Sequence, residues 1–91
     1  MVSAPGPSRG MLLTVSFYSY FKDLTGCAQT VQSLPEGGTV GDLLQALAAS
    51  FPKLAAMQKS TLAAVGVDYQ DRNYVLREGD EVSLFPPVQG G

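Results

Sequence analysis

Ninety-one residues are the length of one domain, with 45% apolar and 15% charged residues and a net charge of -2. That balance argues against a sequence-independent nucleic-acid binder, which needs a dense basic face, and no apolar run approaches the roughly 18 residues of a membrane span. With no His, no Trp and one Cys, the chain has no disulfide framework, no zinc finger or cysteine-held cluster, and no His-dependent nucleophilic catalysis; no metal site is expected.

The first ten residues, MVSAPGPSRG, form no periodic element and no secretory apolar run, and are expected to be a flexible leader or cloning remnant, with Met11 a natural start. Leu12 to Tyr20 alternates, with Leu13, Val15 and Phe17 on one face and Thr14, Ser16 and Tyr18 on the other, which predicts a half-buried strand. Lys22 to Gly26 reads as a turn with a short helical piece. Ala28 to Leu34 resumes the alternation, so the two strands form a hairpin. After the break at Pro35-Glu36-Gly37-Gly38, Thr39 is an N-cap and Asp42 stands where a capping box needs its acid. Val40, Leu43, Leu44, Leu47, Ala48 and Phe51 then make one apolar helical stripe, ended by Pro52. Lys53 to Met57 adds one more turn. Leu62 to Val67 predicts a third strand and Tyr69 to Val75 an irregular edge. Arg77 to Asp80 is a turn, and Glu81 to Phe85 is the last strand, stopped by Pro86 and Pro87. The order is β-β-α-β-β, an α+β domain over 11–85 with a mixed sheet on one main helix and a tail over 86–91.

The tail carries the chemistry. Two terminal glycines occur by chance in roughly 0.5% of chains, and a frayed end is the bland alternative. Pro86-Pro87 favours an extended exit, and six residues reach about 20 Å. Glycines lack Cβ, so a terminal acyl carbon at Gly91 can enter a narrow channel and be attacked without hindrance.

Phe85-Pro86-Pro87-Val88-Gln89-Gly90-Gly91, preceded by Leu76-Arg77-Glu78-Gly79-Asp80-Glu81-Val82, resembles the closing signature of the small subunits of molybdopterin synthase, a sulfur-carrier family with the ubiquitin-like β-grasp fold. The resemblance extends to Tyr18-Ser19-Tyr20-Phe21-Lys22-Asp23-Leu24-Thr25-Gly26 and to Leu62-Ala63-Ala64-Val65. Gly66 stands where the family usually has Asn, and both residues tolerate positive φ. The resemblance implies a cytoplasmic carrier without a bound cofactor of its own. An adenylating, E1-like enzyme would activate the Gly91 carboxylate with ATP, and sulfur transfer would leave a thiocarboxylate there. The large synthase subunit would then receive the tail, with sulfur passing from Gly91 to the molybdopterin dithiolene. By the same resemblance Lys22 contacts a partner. A thiamine-pathway carrier, a ubiquitin-like modifier and a non-catalytic β-grasp interaction module are the alternatives.

Strand parity places Tyr18 and Phe85 on the side of the sheet away from the helix. If the first and last strands are neighbours, as in the β-grasp fold, the two aromatics form one exposed patch beside the tail, a candidate partner surface. Cys27 has no His to activate it and reads as a small packed hydrophobe. The methionines form no stripe.

Overall fold

The computed structural model describes residues 10–87. Eight elements follow in order: β1 (Gly10–Phe17), α1 (Phe21–Thr25), β2 (Gln29–Pro35), α2 (Val40–Ser50), α3 (Pro52–Ala55), β3 (Leu62–Val65), β4 (Asp68–Gln70) and β5 (Glu81–Phe85). The strands form one mixed sheet in the order β2-β1-β5-β3-β4. β1 pairs antiparallel with β2 and parallel with β5, so the first and last strands lie side by side at the centre. This is the ubiquitin-like β-grasp arrangement.

The sheet buries one face. Leu13, Val15 and Phe17 of β1 meet Val82 and Leu84 of β5 and Val40, Leu43, Leu44 and Leu47 of α2 in a single core. The alternation along β1 and β5 and the 3.6-residue spacing along α2 direct these side chains to one interface. α2 starts with the capping box: the Thr39 backbone N–H donates to Asp42 Oδ2 at 3.0 Å, and the Asp42 N–H donates to Thr39 Oγ1 at 3.2 Å. The segment after β4 supplies further acceptors at this helix end, since the Val40 and Gly41 N–H groups donate to the carbonyls of Tyr74 and Arg72, each at 3.0 Å.

Four details differ from the sequence reading. The first strand starts at Gly10, which pairs with Pro35 and so belongs to the domain rather than the leader. It ends at Phe17 rather than Tyr20, because Ser19 adopts φ 58° and turns the chain into α1. β3 stops at Val65, where Gly66 (φ 66°) and Val67 make a two-residue hairpin turn into β4. The expected irregular edge therefore begins as a fifth strand of three residues, absent from the order β-β-α-β-β. Residues 1–9 of the expected leader lie outside the described residues.

Candidate functional site: an aromatic surface at the tail exit

The sheet's second face carries the site. Tyr18 follows β1 directly, and its N–H donates to the Leu84 carbonyl at 3.1 Å, extending the β1–β5 pairing one step past Phe17. Odd and even positions alternate across a strand, so Tyr18 falls on the face opposite Phe17, and Phe85 opposite Leu84. The two rings stack with centroids 4.7 Å apart and planes 9° from parallel. The expected adjacency of Tyr18 and Phe85 is thus present as direct contact.

A third ring joins them. Tyr69 of β4 meets Phe85 edge-on, at 5.9 Å and 63°. Leu62 of β3 is the cross-strand partner of Phe85. Tyr18 is 44% exposed, Tyr69 66% and Leu62 38%, while Phe85 between them is half-buried. Four apolar side chains from β1's end, β3, β4 and β5 therefore form one solvent-facing patch, where the chain leaves the sheet at Pro86 and Pro87. Apolar clusters of this kind on a small domain mark interaction surfaces, whereas scattered exposed apolar residues carry no such meaning.

Lys22 lies beside the patch. It is exposed on α1 and lines, with Ser16, Tyr18 and Gln29, a shallow groove of about 330 Å³. Of the aromatic cluster, Tyr18 is the member that shares this groove with Lys22.

Cys27 packs inward. It is half-buried and packed against the core, with Sγ 3.8 Å from Thr25 Oγ1. That environment matches the packing role expected of it. Pro86 and Pro87, which follow Phe85, are half-buried. Val88, Gln89, Gly90 and Gly91, the remaining expected tail residues, lie outside the described residues.

The ThiS family matches residues 15–91, which include the whole of the patch and the Gly-Gly end. The chain belongs to the ThiS family. Among its relatives, the molybdopterin synthase sulfur carrier subunit of Chlamydomonas reinhardtii is 30% identical over 84 residues, covering 89% of this chain and 100% of that one. The small archaeal modifier protein 3 of Haloferax volcanii is 32% identical, again across 89% and 100%. The solution structure of the Haloferax volcanii HVO 2177 protein superposes with a TM-score of 0.83 at 26% identity, covering 98% of this chain and 94% of that one. Family membership and fold agree with the resemblance carried by the closing motif.

Two members of the patch, Tyr69 and Leu62, are not among the site residues expected from the sequence. A signal for Tyr69 exists. Reading Gly66-Val67 as a two-residue hairpin turn pairs Val65 with Asp68 and Ala64 with Tyr69, as observed. Parity then places Tyr69 on the face of Ala64 and Leu62, next to Phe85.

Proposed function

We propose that this chain is the sulfur-carrier subunit of a molybdopterin synthase, with the C-terminal carboxyl of Gly91 as its working group. The observation that carries the reading is the placement of the Tyr18–Phe85–Tyr69 surface at the root of the Gly-Gly tail, in a chain of the ThiS family. One face can dock a partner while the residues that follow it enter that partner's active site.

A carboxylate is a poor electrophile because its charge is delocalised over both oxygens. An adenylating, E1-like partner would use ATP to convert it to an acyl-adenylate, releasing pyrophosphate. A sulfur nucleophile would then attack the acyl carbon, the C–O bond to AMP would break, and a thiocarboxylate would remain on Gly91. Glycine at the last two positions leaves the acyl carbon open to that attack. In the complex with the large synthase subunit, the thiocarboxylate sulfur would be donated to the dithiolene of molybdopterin, formed from cyclic pyranopterin monophosphate. This gives the carrier a sulfurtransferase role within the assembly, with Phe85, Tyr18 and Lys22 contacting the partners. No nucleic acid or membrane enters the reaction.

The Haloferax modifier relative favours a second use of the same activated end. Attack on the acyl-adenylate by a lysine amine in place of sulfur would give an isopeptide-linked modifier. Incubation with the adenylating enzyme, ATP and a sulfide source separates the two. Pyrophosphate release with appearance of a Gly91 thiocarboxylate supports the carrier. Adducts on lysine side chains with no thiocarboxylate overturn it.

A further inference from the structure

We propose that two copies of this chain associate through the edge of β2, antiparallel and two-fold symmetric about Val31, to make one continuous sheet. The inference stands on the sheet's edges and does not need the carrier reading.

The two edges of the sheet, β2 and β4, are built differently. β4 is three residues long and begins with the charged Asp68, and both features blunt an edge against pairing. β2 is seven residues long, carries no charged side chain, and has its one proline as its last residue. A long uncharged edge is a template for another strand.

The hydrogen-bonding pattern of that edge is self-complementary. The Phe17 N–H donates to the Ala28 carbonyl at 2.8 Å, in register with the pairing of Ser16 with Gln29 and Val15 with Thr30. Bonded and non-bonded pairs alternate along an antiparallel ladder, so Thr30, Gln32 and Leu34 bond inward to β1. Gln29, Val31 and Ser33 point their N–H and C=O groups away from the sheet, where no strand lies among the described residues. The Ser33 carbonyl accepts from Gln32 Nε2 at 3.0 Å, a local contact that a neighbouring strand would replace. A second copy laid about Val31 sets Val31 opposite the second copy's Val31, and Gln29 opposite the second copy's Ser33. Each outward donor then meets an outward acceptor. Shifting the register by two residues would set Gln29 opposite a proline and lose a bond.

Side chains agree with the backbone. Val31 is 61% exposed, and Leu12, on the same face of the adjoining strand, is 56% exposed. The pairing brings both copies' Val31 side chains together on that face, flanked by Leu12, and removes apolar surface from water. Charge selects the same partner. The register sets Glu36, exposed just past β2, opposite the second copy's Gly26. The Gly26 N–H donates to the Lys22 carbonyl at 2.8 Å, and Lys22, unlike its neighbour Asp23, lines the groove shared with Gln29. Each copy's carboxylate is carried to the other's ammonium, and the two-fold axis makes that contact twice. β1 stands between this edge and the strands that carry Phe85, Leu62 and Tyr69.

A contact between two edges is narrow, so the association is weak and depends on concentration. Sedimentation of the full chain from about 10 μM to about 1 mM, a range that reads weak equilibria, should show the average mass rising from one chain towards two. Val31→Lys should stay a single chain throughout, because two ammonium groups would face each other at the axis. Its melting temperature should stay near wild type, since Val31 lies outside the core. Glu36→Lys should weaken association about fivefold through loss of two exposed ion pairs. In wild type, amide exchange read by nuclear magnetic resonance should slow with concentration at Gln29, Val31 and Ser33. Thr30, Gln32 and Leu34, already bonded to β1, should not change.

A chain of unchanged mass at about 1 mM overturns the proposal and leaves the edge to a strand of a different protein. An association that a folded Val31→Lys retains overturns it too, as does protection that falls on Tyr18 and Phe85 in place of the alternating β2 amides. If Val31→Lys does not fold, the exchange pattern of the wild type decides alone.

Discussion

Phe85→Glu tests whether the aromatic face is the docking surface or part of the fold's own support. The substitution removes the stack on Tyr18 and the edge contact with Tyr69. At about 0.5–1.5 kcal/mol for each aromatic pair, the loss to stability is about 1–3 kcal/mol. A domain of this size moves about 4–8 °C per kcal/mol, so the melting temperature should fall by roughly 10 °C. The fold should survive, because a domain's total stability is about 5–15 kcal/mol and the core on the other side of the sheet is untouched. Binding should suffer more. A carboxylate placed in a desolvated contact costs about 3–5 kcal/mol, which weakens Kd by at least about 100-fold at 1.4 kcal/mol per tenfold. Circular dichroism melts and calorimetric titration against the large synthase subunit give the two numbers. Tyr18→Glu should follow the same pattern more weakly, since Tyr18 lies nearer the rim and loses only one ring contact. Wild-type affinity in Phe85→Glu would refute the docking assignment, and a chain already unfolded at room temperature would refute its placement on the face away from the core.

Deleting Gly90 and Gly91 should abolish sulfur loading and leave the melting temperature unchanged, because both follow Pro86 and Pro87, which withhold the N–H a ladder needs; a fall of several degrees would make the tail structural. Cys27→Ala should cost about 1 kcal/mol, the usual size for a partly buried small side chain, and leave sulfur delivery at wild-type rate, since the carrier group is the Gly91 acyl; normal folding with lost delivery would contradict this. Thr39→Ala removes one half of the capping box and should cost about 0.5–2 kcal/mol in chemical denaturation. Sulfur loading should not change with it, because α2 lies across the sheet from the docking face.

The sequence made most of this geometry legible where one physical cause acts alone. The α2 stripe is read from period alone, and its first residue from the Thr39–Asp42 pairing. Pro86 fixes the end of β5, and alternation back from it sends Phe85 to the outer face. Tyr18 could be placed on the same face for the same reason, although its backbone lies past the strand's end and Ser19 turns the chain by a left-handed φ that nothing in Ser predicts. Tyr69 escaped because three residues are too few to show alternation, and because its contact with Phe85 depends on two strand pairings, β4 with β3 and β3 with β5. Propensity and period describe neighbours along the chain, and a ring that meets its partner across three strands leaves only the turn at Gly66-Val67 as a trace. Lys22 was read through resemblance, and its place beside Tyr18 comes from α1, whose short turn closes at Gly26 with φ 78°.

The central claim is that sulfur travels on the carboxyl carbon of Gly91. The most direct measurement is the mass of the C-terminal peptide through one full cycle. After incubation with the adenylating enzyme, ATP and a sulfide source, that peptide should gain the difference between one sulfur and one oxygen, located at Gly91. After addition of the large subunit and cyclic pyranopterin monophosphate, it should return to its starting mass as dithiolene forms. A peptide that never gains the sulfur, or a sulfur found on Cys27 with Gly91 unaltered, would contradict the account.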